Sequence, residues 1–371
     1  MVQSMNRRNF VVGAAAAAQA AFGQSANDQV ATAFIGVGNR GSSLLSGVLK
    51  QPDARVVALC DNKPDRLDKA ATASSKFNPS TTSDWHKIID RKDVEAVYIA
   101  TPPYLHAEMA IAALKAGKHV YCEKPIGTTP AAVRDLVKAA KQSNRVFLAG
   151  QQMRSQIQLG EAIRKIHGGA IGEVLFVKAQ RHASADLAYD GSSADWYFDY
   201  KKSGGYLVEQ SVHNLDACNW VIGQHPTRAA GFGGTNLHKD EPKGRDIYDH
   251  QSITYDYANG VKLSFTQLVY HPRRMPANNQ IINVYGSKGA VELMTSATFY
   301  SLDGKEQSIL AEKAEEQNDA HTRAFYDCIR KGAKPPADIT IGATAALTAI
   351  LGNEVCRQGK VITWKELGVE V

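Results

Sequence analysis

The stretch Val30-Ala31-Thr32-Ala33-Phe34-Ile35-Gly36-Val37-Gly38-Asn39-Arg40-Gly41 reads as a strand running into a glycine-rich turn and a helix. Its first six residues are mostly apolar, and its glycines are spaced G-x-G-x-x-G. Leu44, Leu45, Val48 and Leu49 then share one side of a helical pattern. A second strand over 55–60 ends in Asp61, an acid 20 residues beyond Gly41. This is the context that a dinucleotide fingerprint requires. Gly36 permits the tight turn, and Gly38 lets the backbone approach a pyrophosphate at the N-terminus of the helix. Gly41 allows close packing of helix on strand, while Asn39 and Arg40 sit between the glycines. Asp61 suits a ribose 2′-hydroxyl and repels a 2′-phosphate, so NAD is the expected cofactor. NADP stays open, because Arg40 and Arg66 can each reach a phosphate.

Downstream the pattern keeps alternating. Helices are expected near 65–75, 85–90, 106–116 and 130–143, and strands at 94–100, 119–122 and 146–150. Strands alternating with helices of about 10–15 residues indicate βαβ units and a parallel sheet. A nucleotide-binding domain is therefore expected over 28–150.

Upstream, residues 6–12 read Asn-Arg-Arg-Asn-Phe-Val-Val, followed by an alanine-dominated stretch over 13–21 and a small-x-small exit at Ala18-Gln19-Ala20. A charged head, an apolar middle and a small-residue exit make a secretory signal. Arg7-Arg8 before Phe10 resembles the twin-arginine signal for export of folded proteins. Residues 1–26 are thus expected to be a leader, and the protein periplasmic or otherwise exported.

Composition excludes other classes. The 371 residues are 44% hydrophobic and 22% charged, as in ordinary globular chains of about two domains. A net charge of +6, without a dense Lys/Arg block, does not call for nucleic acid. No run of 18 or more apolar residues marks a membrane anchor. Five cysteines are too few, and odd in number, for a disulfide scaffold. His119 and Cys122 have the spacing of a metal half-site, but strand residues three apart point to opposite faces, so no metal is expected.

Two further motifs lie at strand ends, where open α/β sheets place ligands: Thr101-Pro102-Pro103-Tyr104-Leu105-His106 and Tyr121-Cys122-Glu123-Lys124-Pro125. Together with the glycine fingerprint they resemble the glucose–fructose oxidoreductase / inositol dehydrogenase / rhizopine catabolism family (Gfo/Idh/MocA). The resemblance covers essentially the whole chain after the leader. It implies an α/β Rossmann domain plus an α+β C-terminal domain with a large, mostly antiparallel open sheet. It also implies a carbohydrate or cyclitol substrate and a homo-oligomer, dimer or tetramer. Residues 151–335 are expected to form the substrate domain, with strands at 174–180, 252–257, 262–269 and 281–285. Residues 336–371 would be a helix and tail packing on both domains.

The candidate chemistry centres on Gly204-Gly205-Tyr206-Leu207-Val208-Glu209-Gln210-Ser211-Val212-His213-Asn214-Leu215-Asp216. If this segment is helical, Glu209 and His213 stand four apart on one face and Asp216 three further on. The family usually has Asp where Glu209 stands. His213 is expected to act as the base, Lys124 as the polarising cation, and Glu209 as an orienting or substrate-binding acid. Asp216 is a second candidate to orient the imidazole, or else a carboxylate in a structural helix pair. Thr101, Pro102, His106, Glu123 and Lys124 are expected to border the cofactor, and Arg154, Arg181, His182, Asn214 and Asp216 the substrate. Trp196, Tyr197 and Tyr200 could stack on a pyranose or pack in a core. The expected activity is hydride transfer between a sugar, cyclitol or sugar derivative and a tightly retained NAD(H). The alternatives are redox-neutral glycoside cleavage or epimerisation through a transient keto-sugar, and a non-catalytic sugar- or nucleotide-binding protein.

Overall fold

The computed structural model describes residues 29–184, 194–275, 279–312 and 319–371; the leader with its arginine pair lies outside them. The first part runs β1 (Val30–Ile35), α1 (Asn39–Val48), β2 (Ala54–Cys60), α2 (Pro64–Ala73), β3 (Ser80–Thr82), α3 (Trp85–Asp90), β4 (Ala96–Ile99), α4 (His106–Lys115), β5 (His119–Cys122), α5 (Pro130–Gln142) and β6 (Phe147–Ala149). All six strands pair in parallel, in the order β3-β2-β1-β4-β5-β6. The strand order reverses between β1 and β4, which opens a crevice at their carboxyl ends.

Every residue of β1 is buried, because helices cover both faces of a parallel sheet. Phe34, Tyr98 and Tyr121 are register neighbours on β1, β4 and β5, and their rings stack at 4.8 and 4.6 Å.

The second part contains α6 (Ile157–His167), β7 (Val174–His182), α7 (Ala194–Tyr197), α8 (Tyr200–Ser203), a π-helical turn (Leu207–Ser211) and α9 (Val212–Ile222). Then come β8 (Pro226–Gly234), β9 (His250–Tyr257), β10 (Lys262–Leu268), β11 (Gln280–Gly286), β12 (Gly289–Glu292), β13 (Thr298–Ser301), β14 (Gln307–Ile309), α10 (Ala320–Lys331), α11 (Ile339–Gln358) and β15 (Ile362–Thr363). The sheet order is β14-β13-β12-β11-β7-β10-β9-β8-β15, antiparallel except where β7 meets β10. The architecture is thus a Rossmann-type parallel sheet followed by a mostly antiparallel one.

On β10, Leu263, Phe265 and Gln267 turn inward, while Lys262, Ser264 and Thr266 turn outward. Strand β8 was not expected. Its sequence Pro-Thr-Arg-Ala-Ala-Gly-Phe-Gly-Gly shows no apolar alternation, and its pairing with β9 makes it a strand.

Two late helices tie the parts together. Helix α10, placed by sequence within 151–335, packs on the first sheet instead. Phe325 meets Tyr98 edge-on at 5.3 Å, the Tyr326 hydroxyl lies 3.0 Å from Thr32 Oγ1, and Arg323 pairs with Asp53 at 2.7 Å. Helix α11 contacts α5 and β6 of the first part and β8 and α9 of the second. It is long and apolar enough to cross a membrane by length and composition, but 72% of its apolar window is buried inside the chain.

Candidate active site

The glycine turn has little room for side chains. Gly36 has φ +89°, and a Cβ there would lie 2.6 Å from the Ala100 carbonyl oxygen. At Gly41 a Cβ would lie 2.1 Å from the Gly36 oxygen. Helix α1 begins at Asn39 with no capping side chain and no acid in its first turn. Its first N–H groups therefore face the crevice, the arrangement that receives a pyrophosphate. Asp61 closes the loop: its carboxylate accepts from Val37 N and Lys63 N, both at 2.9 Å. These features fit a dinucleotide, with Gly36, Gly38, Asn39 and Gly41 as cradle and Asp61 at the ribose end.

The two arginines separate. Arg40 Nε donates to Glu123 Oε1 at 2.7 Å, which ties it to β5 rather than to the Asp61 end. Arg66 remains over the loop, its Nη1 3.2 Å from where a Gly38 Cβ would stand. Asp61→Ala should therefore lower the NAD-over-NADP affinity ratio about tenfold or more, since it removes a charged acceptor and a repulsive charge. Titrating both nucleotides against native and variant protein checks this, and tighter native binding of NADP would transfer the choice to Arg66.

Glu123 is buried and serves as a hub. Besides Arg40 it accepts from Gln152 Nε2 at 2.8 Å and, through Oε2, from Lys124 N at 3.0 Å. A cavity of about 220 Å³ adjoins the hub, lined in part by Arg40, Gln152, Ser155 and His321. Lys124 and His213 do not line it. At the end of β4, His106 is buried between the carbonyl oxygens of Thr101 and Pro125, 2.7 Å from each. It braces the Thr101-Pro102 loop against the Lys124-Pro125 loop, and burial lowers its pKa.

Lys124 and His213, the candidate reacting groups, each bond across the place where the two parts touch. Lys124 Nζ donates to Glu209 Oε1 at 2.8 Å and also to the Glu209 carbonyl oxygen. Glu209 lies in the π-helical turn; its Oε1 and its carbonyl oxygen face Lys124, while its Oε2 accepts from Gln210. This corrects the expected four-apart α-helical stripe. Glu209 holds Lys124 and does not orient His213.

The imidazole is held by Gln151, whose Oε1 lies 3.1 Å from His213 Nδ1. An amide oxygen only accepts, so Nδ1 carries the proton and Nε2 keeps its lone pair. Burial, then the charges of Lys124, Arg40 and Arg181, hold the His213 pKa well below its ordinary value. A neutral imidazole beside an ammonium group can take a proton at Nε2 while Lys124 stabilises the oxygen that loses it.

The expected substrate residues divide. Arg154 and Asp216 engage each other, with Arg154 Nε and Nη2 donating to the carboxylate at 2.9 and 2.7 Å. Arg154 also lies over Trp220 at 4.9 Å. This pair joins the start of the second part to α9, so Asp216 is not the imidazole's partner. Arg181 and His182 are consecutive on β7 and face opposite ways. Arg181 shares the inner face with Gln267 and Gln280. His182 points to the outer face, its Nε2 3.0 Å from Thr266 Oγ1, and burial with nearby His271 lowers its pKa to about 4. The expectation that His182 lines the same site as Arg181 is thereby corrected. Asn214 donates to Gln280 Oε1 at 3.4 Å, bringing α9 down onto that inner row. Tyr197 is in a buried aromatic cluster, and Tyr200 lies under Arg357 at 3.5 Å; packing, not stacking on a ligand, uses both.

Gln151, Gln267 and Gln280 were not singled out by sequence. Gln151 had a usable signal, because it follows β6 as Thr101 follows β4 and Glu123 follows β5. The other two had none, since only the strand register places them beside Arg181.

A model of an oxidoreductase family with an NAD-binding Rossmann fold matches residues 30–151, and a model of the GFO/IDH/MocA C-terminal domain matches 160–292. A 2,7-anhydro-N-acetylneuraminate hydratase of Mediterraneibacter gnavus is 27% identical over 353 residues, 92% of this chain and 88% of that protein. A levoglucosan dehydrogenase of Pseudarthrobacter phenanthrenivorans is 31% identical over 245 residues, 60% of this chain and 61% of that one. A solved levoglucosan dehydrogenase in complex with NADH superposes with a TM-score of 0.79 at 23% identity, over 90% of this chain and 99% of that chain.

Proposed function

The chain belongs to the Gfo/Idh/MocA oxidoreductase family, and from that premise we propose that it oxidises a CH–OH group of a sugar, cyclitol or sugar derivative with NAD. The observation that carries this reading is the pair of contacts by which the carboxyl end of the first sheet meets the π-turn and α9: Lys124 Nζ on Glu209, and Gln151 on Nδ1 of His213. The chemistry that NAD supplies when bound is acceptance of a hydride from the carbinol carbon. His213 Nε2 takes the hydroxyl proton. Two contacts of Lys124 Nζ go to Glu209, and its remaining N–H is directed to the substrate oxygen as charge develops there. A panel of sugars and cyclitols added to NAD-loaded protein, followed by absorbance of the reduced cofactor, tests the reading. Absence of any reduction or product across the panel would refute it.

A second reading returns the hydride to the same substrate, so that no reduced cofactor accumulates. It is supported by the relative that spans 92% of this chain and is a hydratase. The same panel separates the two readings, because conversion seen by mass spectrometry without net reduction belongs only to the second.

The leader adds a cellular proposal. Arg7-Arg8 before an alanine-rich stretch supports export after folding, with NAD already loaded. A retained cofactor needs a closed redox cycle outside the cytoplasm. Arg7→Lys with Arg8→Lys should leave precursor in the cytoplasm, and a normal periplasmic yield from that double variant would sink the assignment.

A further inference from the structure

We propose that Arg181 receives a carboxylate of the substrate, so that the chain acts on a sugar acid in preference to a neutral sugar. The inference rests on the reading above and names the substrate class of that site. Three other cations here already hold a carboxylate. Arg40 has Glu123 at 2.7 Å, Lys124 has Glu209 at 2.8 Å and Arg154 has Asp216 at 2.7 Å. Arg181 is half-buried, and among the described residues no hydrogen bond or ion pair engages its side chain.

Its position places it in the site. On the inner face of the large sheet it lies between Gln280 of β11 and Gln267 of β10. Asn214, next to His213, reaches down to Gln280. The charge of Arg181 is felt at His213. The adjoining Gln267 is buried, and its Oε1 has no donor. Among the described residues the row therefore offers one unmatched cation, whose charge reaches the proposed base, and one unmatched acceptor beside that cation.

A guanidinium donates five N–H groups in a fork and accepts none, which matches a planar carboxylate in two parallel hydrogen bonds. The Gln267 amide oxygen would take a neighbouring hydroxyl. A half-buried cation without an anion is unfavourable, and a bound carboxylate removes that penalty. One unmatched positive charge suits a monoanion better than a phosphate dianion, which ordinarily draws several donors.

The test uses NAD-loaded protein and matched substrates: glucose with glucuronate, galactose with galacturonate, and glucose 6-phosphate as the dianion. Conversion is followed by cofactor absorbance and by mass spectrometry of products. The acid of a pair should have kcat/KM about tenfold or more above its neutral partner. Arg181→Gln should raise KM for the acid about 10- to 100-fold, with kcat within about threefold, and should erase the acid preference. Arg181→Lys should restore part of it. Equal NAD affinity and an unchanged denaturation midpoint show that each variant is folded; if Arg181→Gln fails this check, Arg181→Met takes its place. Preference for neutral sugars, preference for the phosphate, or an acid-to-neutral ratio unchanged in the variants would each overturn the proposal while leaving sugar oxidation intact. Conversion of no substrate, acid or neutral, would overturn the parent reading and this one with it.

Discussion

Lys124→Ala and His213→Ala should each keep NAD and lose turnover by about 10²–10⁴-fold, the usual contribution of a positioned acid or base. The effects should fall on kcat, because neither side chain belongs to the glycine cradle. The two variants should differ in stability. Lys124→Ala leaves the carboxylate of Glu209 buried without its cation, and breaking such a pair costs about 3–5 kcal/mol. Adding Glu209→Gln should recover much of the stability and none of the rate. His213→Ala removes one hydrogen bond and leaves the buried Gln151 oxygen without its donor, which should cost less, about 1–3 kcal/mol.

The pH profile carries the same assignment. A base works when unprotonated, so activity rises with pH through the pKa of the folded protein. Burial and three nearby cations hold the His213 pKa well below its ordinary value. The acid limb of kcat/KM should therefore lie below pH 6.5. Rates measured from pH 4.5 to 8 at saturating NAD check this. A limb centred at or above 6.5 would exclude His213 as the base, as would near-native turnover by His213→Ala.

Gly41→Ala should strongly damage the nucleotide cradle. The new Cβ would stand 2.1 Å from the Gly36 carbonyl oxygen, and both partners are backbone, so no side chain can swing aside. Overpacking of this kind costs about 1–3 kcal/mol, and rigid backbone puts the change toward the upper end. Moving Gly36 also displaces the turn that faces the pyrophosphate, so NAD affinity should fall by about tenfold or more. Gly234→Ala is the control. Its nearest foreign atom would be His250 Cε1 at 3.4 Å, an ordinary contact, and its effect should stay within about 0.5 kcal/mol. Denaturant midpoints and NAD titration of both variants decide the matter, and equal midpoints would refute the packing role of Gly41.

The amino-acid sequence by itself determined the parallel sheet of the first domain and singled out Lys124 and His213 as candidates. Those signals are local: apolar periodicity, glycine spacing, and polar residues at strand ends. Each is written in neighbouring positions, because a strand, a turn and a helix start are made within a few residues. The same holds for the antiparallel strand at 262–268, where alternation is visible.

Only the tertiary structure decided which polar groups face one another. Glu209 pairs with Lys124 from a π-turn over Leu207–Ser211, where residue spacing alone assumes the commoner helix. Gln151 became the partner of His213 across 62 positions, and Asp216 went to Arg154 across 62 more. Arg181 and His182 were alike in the sequence until the pleat sent one inward and the other outward. Such choices depend on the register of distant strands and on where a helix lands. Many pairings of a few charges and amides satisfy the same local pattern, and packing of the two sheets against α9 and α11 selects one of them.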